Sequence, residues 1–462
     1  MTAPKTLDAP YVPPRIFGPQ YRTATLGILL VVTLIAFEGM SVGVAMPKVS
    51  AELNALNLYG ISFSAFLIAS LFANVVAGLW SDRRGHTVPF LVGVGMFVAG
   101  MALAGAAGHA MVFVAARAVQ GLGAGATIVA IYVMVARVYP PDARPKVFAA
   151  LSAAWVVPAM VGPAVAGFVT EAFSWRWVFY GIIPLVVPAL VMLLPALRQT
   201  AGTAGEPSSG PRSRPLPMSL AATATAGGAA LLLAGLTGLQ TSPVAGTVMA
   251  AVGLVALVLS LPRLLPPGAM RFGRGLPTTI MMRGLLSAAF FGVNTYIPLV
   301  LEEVKRFSTV QAGMALTFGA LGWSLGSYLQ SRKVVPAHTR IRRGAAFVTL
   351  GSLVTTVAMI PAVTGWIMVP AWIIAGFGMG IGMATVSVTA MKQSPANEQG
   401  ANSAALSVTD MLGSALATGI AGAIVNVIGH QPDQLATGFV VVVGLMAVVG
   451  VLGVSVAGRV KD

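Results

Sequence analysis

Charge is what this 462-residue sequence has least of. Asp, Glu, Lys and Arg make up 9% of it, against about 25% in a typical soluble domain. A chain so poor in charge cannot coat a water-facing surface, which excludes a cytosolic enzyme and a disordered tail. Cysteine is absent, which excludes a secreted disulfide scaffold and a thiolate metal cluster. The four histidines, at 86, 109, 338 and 430, fall in loops or near the ends of apolar runs, so no metal is expected. Lysine occurs seven times, never in a Gly-x-x-x-x-Gly-Lys-Ser/Thr phosphate loop, and ATP hydrolysis by this chain is excluded with it. Nor is there an Arg-rich voltage-sensing helix or a selectivity filter that would mark a channel. Acids number 13 against 28 bases, a net charge of +15. Such an excess invites a nucleic-acid reading, which the placement of the bases removes.

What the chain does have is apolar length: 56% hydrophobic residues and a mean hydropathy of +0.86. A helix needs about 20 apolar residues to cross a bilayer core. Such runs occur at 24–46, 59–80, 88–107, 111–136, 148–171 and 177–197, then as a pair at 219–239 and 244–262, then at 284–301, 310–331, 344–363, 366–391, 404–428 and 435–457. The expectation is an all-α membrane protein of fourteen transmembrane helices, two six-helix bundles with an inserted pair between them. The first run is too long for a cleaved signal, and no small-residue cleavage pattern precedes it. Arg outnumbers Lys three to one amid abundant Ala and Gly, as in a high-GC bacterial genome.

An even number of spans puts both termini on one side. Alternate loops divide the basic residues 23 to 4, with Arg117 inside a span. The rich side is the cytoplasmic one, so both termini are expected there, in a bacterial cytoplasmic membrane. The bases orient the chain, and no nucleic-acid partner is needed. The organisation follows: a cytoplasmic tail (1–22), a first bundle (23–198), a Gly/Ser/Pro-rich flexible linker (199–218), the inserted pair (219–268), a second bundle (269–458) and a short tail (459–462). No loop is large enough for a catalytic domain, and the protein is not expected to be an enzyme.

The two bundles resemble each other. Ala150-Leu151-Ser152 returns as Ala405-Leu406-Ser407, 255 residues on, and the same offset sets Gly167 on Gly422 and Trp155 on Asp410. Phe37-Glu38-Gly39, ending at Pro47, is echoed by Phe290-Phe291-Gly292, ending at Pro298, and Gly78 has a partner in Gly326. Two parallel repeats place a binding site near the midplane between them, reached alternately from each side as the halves rock.

Three short patterns stand out. Between runs two and three the chain reads Gly78-Leu79-Trp80-Ser81-Asp82-Arg83-Arg84-Gly85-His86-Thr87; a tight turn needs a glycine corner, and the Asp–Arg pair can bridge to a neighbouring helix end. Run four carries Arg117-Ala-Val-Gln120-Gly121, and an arginine at membrane depth is costly unless paired or hydrated. Run five carries Pro158-Ala-Met-Val-Gly162-Pro163-Ala-Val-Ala166-Gly167. There Gly162 and Ala166 leave a smooth face for close helix approach, and the prolines permit a kink. Orienting charge would explain Arg83 and Arg84 but not the glycine spacing around them, and generic small-residue packing also fits the pattern in run five.

Together they resemble the motifs of the major facilitator superfamily, and most closely its fourteen-helix drug:proton antiporter branch. The resemblance implies a latch between the halves at Gly78, Asp82, Arg83, Arg84 and Gly85, though His86 and Thr87 replace the usual basic pair. It implies proton transfer at Arg117 and an antiporter motif at Pro158, Gly162, Pro163 and Gly167, where Ala166-Gly167 stands for the usual glycine pair. Trp175-Arg176-Trp177 and Pro184 also match. In run one, Glu38 occupies the place of an Asp, nine residues before Pro47, and Gly43 the place of an Asn.

Of the acids, Glu38 and Asp410 fall well inside spans. Glu38 lies eight residues from the outer end of its run and Arg117 six from the outer end of its own, about 12 and 9 Å deep. The two are expected to share a cavity in the first half. There desolvation and a nearby cation shift a carboxyl in opposite directions and leave it able to exchange protons. Asp410 either couples protons or latches against Arg83 or Arg84. Phe37, Gln120, Trp155, Asn294 and Tyr296 are candidates for the substrate cavity, against a plain packing role for each. The leading reading is a proton-coupled efflux antiporter for small amphipathic compounds, monomeric, free of cofactors and driven by the proton gradient, worth about 2.3 kcal/mol per charge per 100 mV. A dedicated metabolite or lipid transporter of the same fold, or a non-transporting receptor or scaffold, are the alternatives.

Overall fold

The computed structural model describes residues 15–199, 215–330, 335–395 and 398–461; most of the expected linker and the first part of the N-terminal tail lie outside them. Among the described residues all regular structure is helical. In the first half these are α1 (Arg22–Glu52), α2 (Tyr59–Arg84), α3 (Thr87–Ala106), α4 (Ala110–Val138), α5 (Arg144–Ala153), α6 (Val156–Ala172), α7 (Arg176–Tyr180) and α8 (Ile183–Gln199). Next come α9 (Pro215–Gly238) and α10 (Pro243–Ser260). The second half holds α11 (Leu276–Asn294), α12 (Ile297–Glu303), α13 (Thr309–Gln330), α14 (Ala337–Thr355), α15 (Met368–Gln393), α16 (Gln399–Ile428) and α17 (Pro432–Val456). Apolar segments take this form because lipid offers backbone N–H and C=O groups no partner, and a helix satisfies them within itself.

Twelve of the described helical segments are long and apolar enough to cross a membrane, with α5–α6, α7–α8 and α11–α12 each forming one segment. The inserted pair, α9 and α10, is among them. The two expected runs that fall short are 310–331 and 344–363. Gly, Ser and Thr interrupt the apolar side chains of α13, and α14 opens on Arg340, Arg342 and Arg343 and ends at Thr355. Two boundaries also move. Helix α1 runs through Pro47 to Glu52 rather than ending at 46, and α11 begins at Leu276, which puts Arg283 inside a helix rather than in the loop before it.

The halves repeat one packing scheme. Helix α4 packs against α2 and α3, and α1 against α6 and α8. In the second half α15 packs against α13 and α14, and α11 against α16 and α17. The halves meet where α6 crosses α13 and where α2 crosses α16, and α9 lies against α2 and α16 with α10 behind it. We call the end where α1 starts and α2 stops the basic face, after Arg83, Arg84, Arg137, Arg271 and Arg459. There the Gly275 N–H donates to the Arg459 carbonyl at 2.9 Å. The other end is the opposite face.

Candidate functional site

Glu38 lies at mid-helix on α1, about 21 Å along the axis from Glu52, deeper than the shorter run implies. Its side chain is fully buried and ion-paired with Arg117 of α4, which is 3% exposed. The same Arg117 Nη1 donates to Gln120 Oε1 at 2.7 Å, and the guanidinium lies over the Phe66 ring of α2, 4.5 Å from its centroid. Glu38 and Arg117 therefore come together, with Gln120 and Phe66 completing the group, but as a closed buried cluster rather than in the expected shared cavity. The cluster is incomplete in hydrogen bonds: Glu38 Oε2, Arg117 Nε and Gln120 Nε2 are buried without partners. Burying a charge is costly unless it is paired, and this cluster keeps spare donor and acceptor valences.

Asp410 on α16 has other neighbours than those expected. Its Oδ2 accepts from Arg283 Nε and Nη2 at 3.0 and 2.8 Å, and its Oδ1 from the Ser287 hydroxyl; Arg283 Nη1 also donates to Ser387 of α15 at 2.8 Å. The pair is internal to the second half and about a quarter exposed on each side. Asp410 thus does not meet Arg83 or Arg84 here. Arg283 escapes a window-based reading because its counter-charge lies 127 residues away. Neutralising either partner alone is expected to cost about 2 kcal/mol, between the surface and buried limits. The double variant Arg283→Gln/Asp410→Asn should recover part of that loss in the unfolding midpoint in detergent. An Asp410 latched to Arg83 or Arg84 predicts no such rescue.

The turn motif sits at the basic face. Arg83 and Arg84 are exposed in the last turn of α2, where cations complement the helix dipole. Asp82 is exposed within electrostatic reach of Arg137 on α4. Gly85 has φ +83°, a conformation that L side chains rarely adopt, so the glycine corner is required. Gly78 is not required in that sense: a Cβ there would meet Val129 at an ordinary 3.7 Å. His86, fully buried at the start of α3, is held near pKa 4 by burial and then by Arg137. Its depressed value means that the folded protein binds fewer protons than the unfolded chain between about pH 4 and 6.5. Stability should therefore fall as pH drops through that window. His86→Gln should flatten the slope of unfolding midpoint against pH there.

The Pro158–Gly167 motif packs on both sides. Gly162 lies against α1, where its carbonyl accepts from the Ser41 hydroxyl at 3.4 Å. Towards the opposite face the same helix meets the second half at backbone distance. A Cβ on Gly167 would lie 2.9 Å from the Thr309 carbonyl oxygen, and one on Gly313 of α13 would lie 2.5 Å from that of Pro163. Glu171 Oε1 accepts from the Val310 N–H at 3.0 Å across the same crossing.

This arrangement, two alike six-helix halves joined at α6–α13 and α2–α16, coincides with a match to the Major Facilitator Superfamily model over residues 28–418. The chain belongs to that superfamily. Among relatives, it is 27% identical over 426 residues, 88% of each chain, to a Mycobacterium tuberculosis protein named a probable multidrug-efflux transporter. It is 26% identical to the Bacillus subtilis multidrug transporter protein MdtP over 38% of this chain and 33% of that one. A crystal structure of a peptide transporter in complex with sulfate superposes with TM-score 0.71 at 15% identity, covering 98% of both chains. A bacterial homolog of the lysosomal transporter Spinster gives 0.66 at 13%, covering 96% of this chain and 98% of that one. This is an integral membrane transport protein and not an enzyme.

In this transporter the remaining cavity candidates separate. Gln120 belongs to the Glu38 cluster. Phe37 is half-buried, with its ring edge beside Gly162. Trp155, at the break between α5 and α6, is 39% exposed. Asn294 is tied to its own half, its Oδ1 accepting from Trp372 Nε1 at 3.0 Å. Tyr296 does not line a cavity. It is 1% exposed, donates to the Thr418 carbonyl at 3.2 Å and packs its ring 5.2 Å from that of Tyr59. Tyr59 in turn donates to the Thr295 carbonyl at 3.0 Å, and Ser64 to that of Ala415 at 2.8 Å. These contacts join α2 to the second half near the opposite face. The repeat pattern pointed to Tyr296 as the counterpart of a span-one residue, and nothing in a single sequence showed that its place is a seam.

Proposed function

We propose that this transporter exports small amphipathic compounds in exchange for protons by alternating access, with Glu38 as the proton-carrying carboxyl and Arg117 and Gln120 setting its affinity. The observation that carries the reading is a fully buried carboxyl at mid-helix with one oxygen paired and the other without a partner. The relatives named for multidrug efflux support the cargo class. A proton arriving at Glu38 weakens its hold on Arg117 and on a cationic cargo; a cargo arriving there favours loss of the proton.

In this reading α13 and α14 also cross the membrane, making fourteen spans. Helix α13 runs beside α15, and α14 packs between α15 and α17. The basic face is cytoplasmic, as its excess of arginine favours. Contacts between the halves gather at the opposite face, while Tyr132, Phe148 and Trp155 keep 39–47% of their surface exposed. That asymmetry supports a state open towards the cytoplasm. The protein acts as a monomer without a cofactor, and Asp410 with Arg283 stiffens the second half.

The test uses purified protein in sealed vesicles with an imposed pH gradient. Proton movement that depends on any of several chemically unrelated amphipathic cations is the expected result. Movement with a single metabolite indicates a dedicated transporter, and none with any compound overturns the reading.

A further inference from the structure

A second carboxyl is buried where the halves meet, and nothing in the exchange scheme uses it. Glu302, in the last turn of α12, is 9% exposed. Its Oε2 accepts from the Thr309 hydroxyl of α13 at 3.1 Å, and its Oε1 is buried without a partner. Among the described residues no cation lies within ion-pairing distance. We propose that Glu302 is a proton-binding site that controls closure of the opposite face, taking a proton from that side before the halves close over it. The inference does not rest on the role given to Glu38.

The argument is electrostatic. Helix α12 packs on α13, α1 and α17. From α13 it receives the Thr309 hydroxyl. From α1 the charged groups at this end are Lys48, exposed and acting only at longer range, and Glu52, which accepts from Trp175 Nε1 at 2.6 Å and Arg176 Nη1 at 2.5 Å. From α17 the charged residue at this end is Asp433, exposed at the helix start. Glu303 on the same helix and Glu171 on α6 add negative charge nearby. After them Lys305 is turned away, donating to the Ile360 and Val363 carbonyls at 2.9 and 2.8 Å, and Arg306 follows it in the loop.

One weak cation against two further acids leaves an ionised Glu302 uncompensated, and burying such a carboxylate costs more than protonating it. The closed seam, with Gly167 and Gly313 against partner backbone and Glu171 on the Val310 N–H, lies directly beside it. Closure thus requires the neutral acid, and opening admits water and releases the proton to the same side. The step is transfer of one proton between water and Oε1, with no other bond changed. Acid on that side should therefore favour the closed seam, by at most about tenfold in population per pH unit for one proton.

The absence of native cysteine allows a clean test. Spin labels at Gly108→Cys and Ala362→Cys, both exposed on the opposite face in different halves, report the separation in nanodiscs from pH 5 to 9. The expected result is one short distance at low pH and a growing long-distance population as pH rises. Glu302→Gln, which keeps the acceptor for Thr309, should hold the short distance throughout. Thr309→Val, which removes a donor to the carboxylate, should move the midpoint to higher pH. A wild type without pH response, or a Glu302→Gln variant that titrates like wild type, overturns the proposal. Loss of the response in Glu38→Gln, with retention in Glu302→Gln, assigns it to Glu38 and also overturns the proposal. Failure of drug-driven proton movement in vesicles bears on the exchange reading alone.

Discussion

Glu38→Gln should reduce proton-driven export to the rate of uncoupled leak while the protein still inserts. Gln keeps an oxygen to accept from Arg117 but cannot give up a proton, so the carrier step is removed with little change of shape. One side effect has to be separated. The substitution leaves Arg117 buried with Gln120 and the Phe66 ring but no counter-charge, and breaking a buried pair from one side typically costs 3–5 kcal/mol. Low yield alone would therefore prove little. The double variant Glu38→Gln/Arg117→Gln removes both charges and should recover yield and unfolding midpoint in detergent. If export stays absent in that stable double variant, the pair is needed for coupling and not only for stability. If export returns with stability, the pair is structural. Glu38→Asp, one methylene shorter, should retain coupling at a reduced rate with a shifted pH dependence.

That pair was legible in the sequence because a charge deep in an apolar run demands an explanation, and two opposite charges at similar depth explain each other. The spans were legible for the same reason. Their ends were less so, because a window stops at the first charge or proline. Pro47 lies inside α1, and Arg283 lies inside α11, where Asp410 of α16 and Ser387 of α15 meet it from other helices. Glu302 was hidden by its neighbours: Glu303, Lys305 and Arg306 mark an ordinary loop edge in sequence, whereas only the fold brings α13 and α6 over the carboxyl. Tyr296 and the exposed Asp82, Arg83 and Arg84 show a further limit. A motif records the contacts of every state a transporter visits, and one structure holds one of them.

The second large effect concerns that change of state. Gly167→Val is expected to abolish transport by preventing closure of the opposite face, with little loss of folded protein. Even the Cβ would sit 2.8–2.9 Å from the Val310 Cα and the Thr309 carbonyl oxygen, and these are backbone atoms of the other half, which cannot rotate away. The strain is relieved when the halves part, because the three atoms nearest the new Cβ all belong to the second half. Contrast Gly376 of α15, where a Cβ would lie 2.0 Å from the Gly319 carbonyl oxygen of α13, within one half. There no rocking motion relieves the clash, so Gly376→Val should lower the folded yield itself. Labels at positions 108 and 362 should show Gly167→Val locked at the long distance at every pH, including where acid closes the wild type. A short distance in that variant would mean that α6 and α13 slide rather than separate, and that the face opens elsewhere.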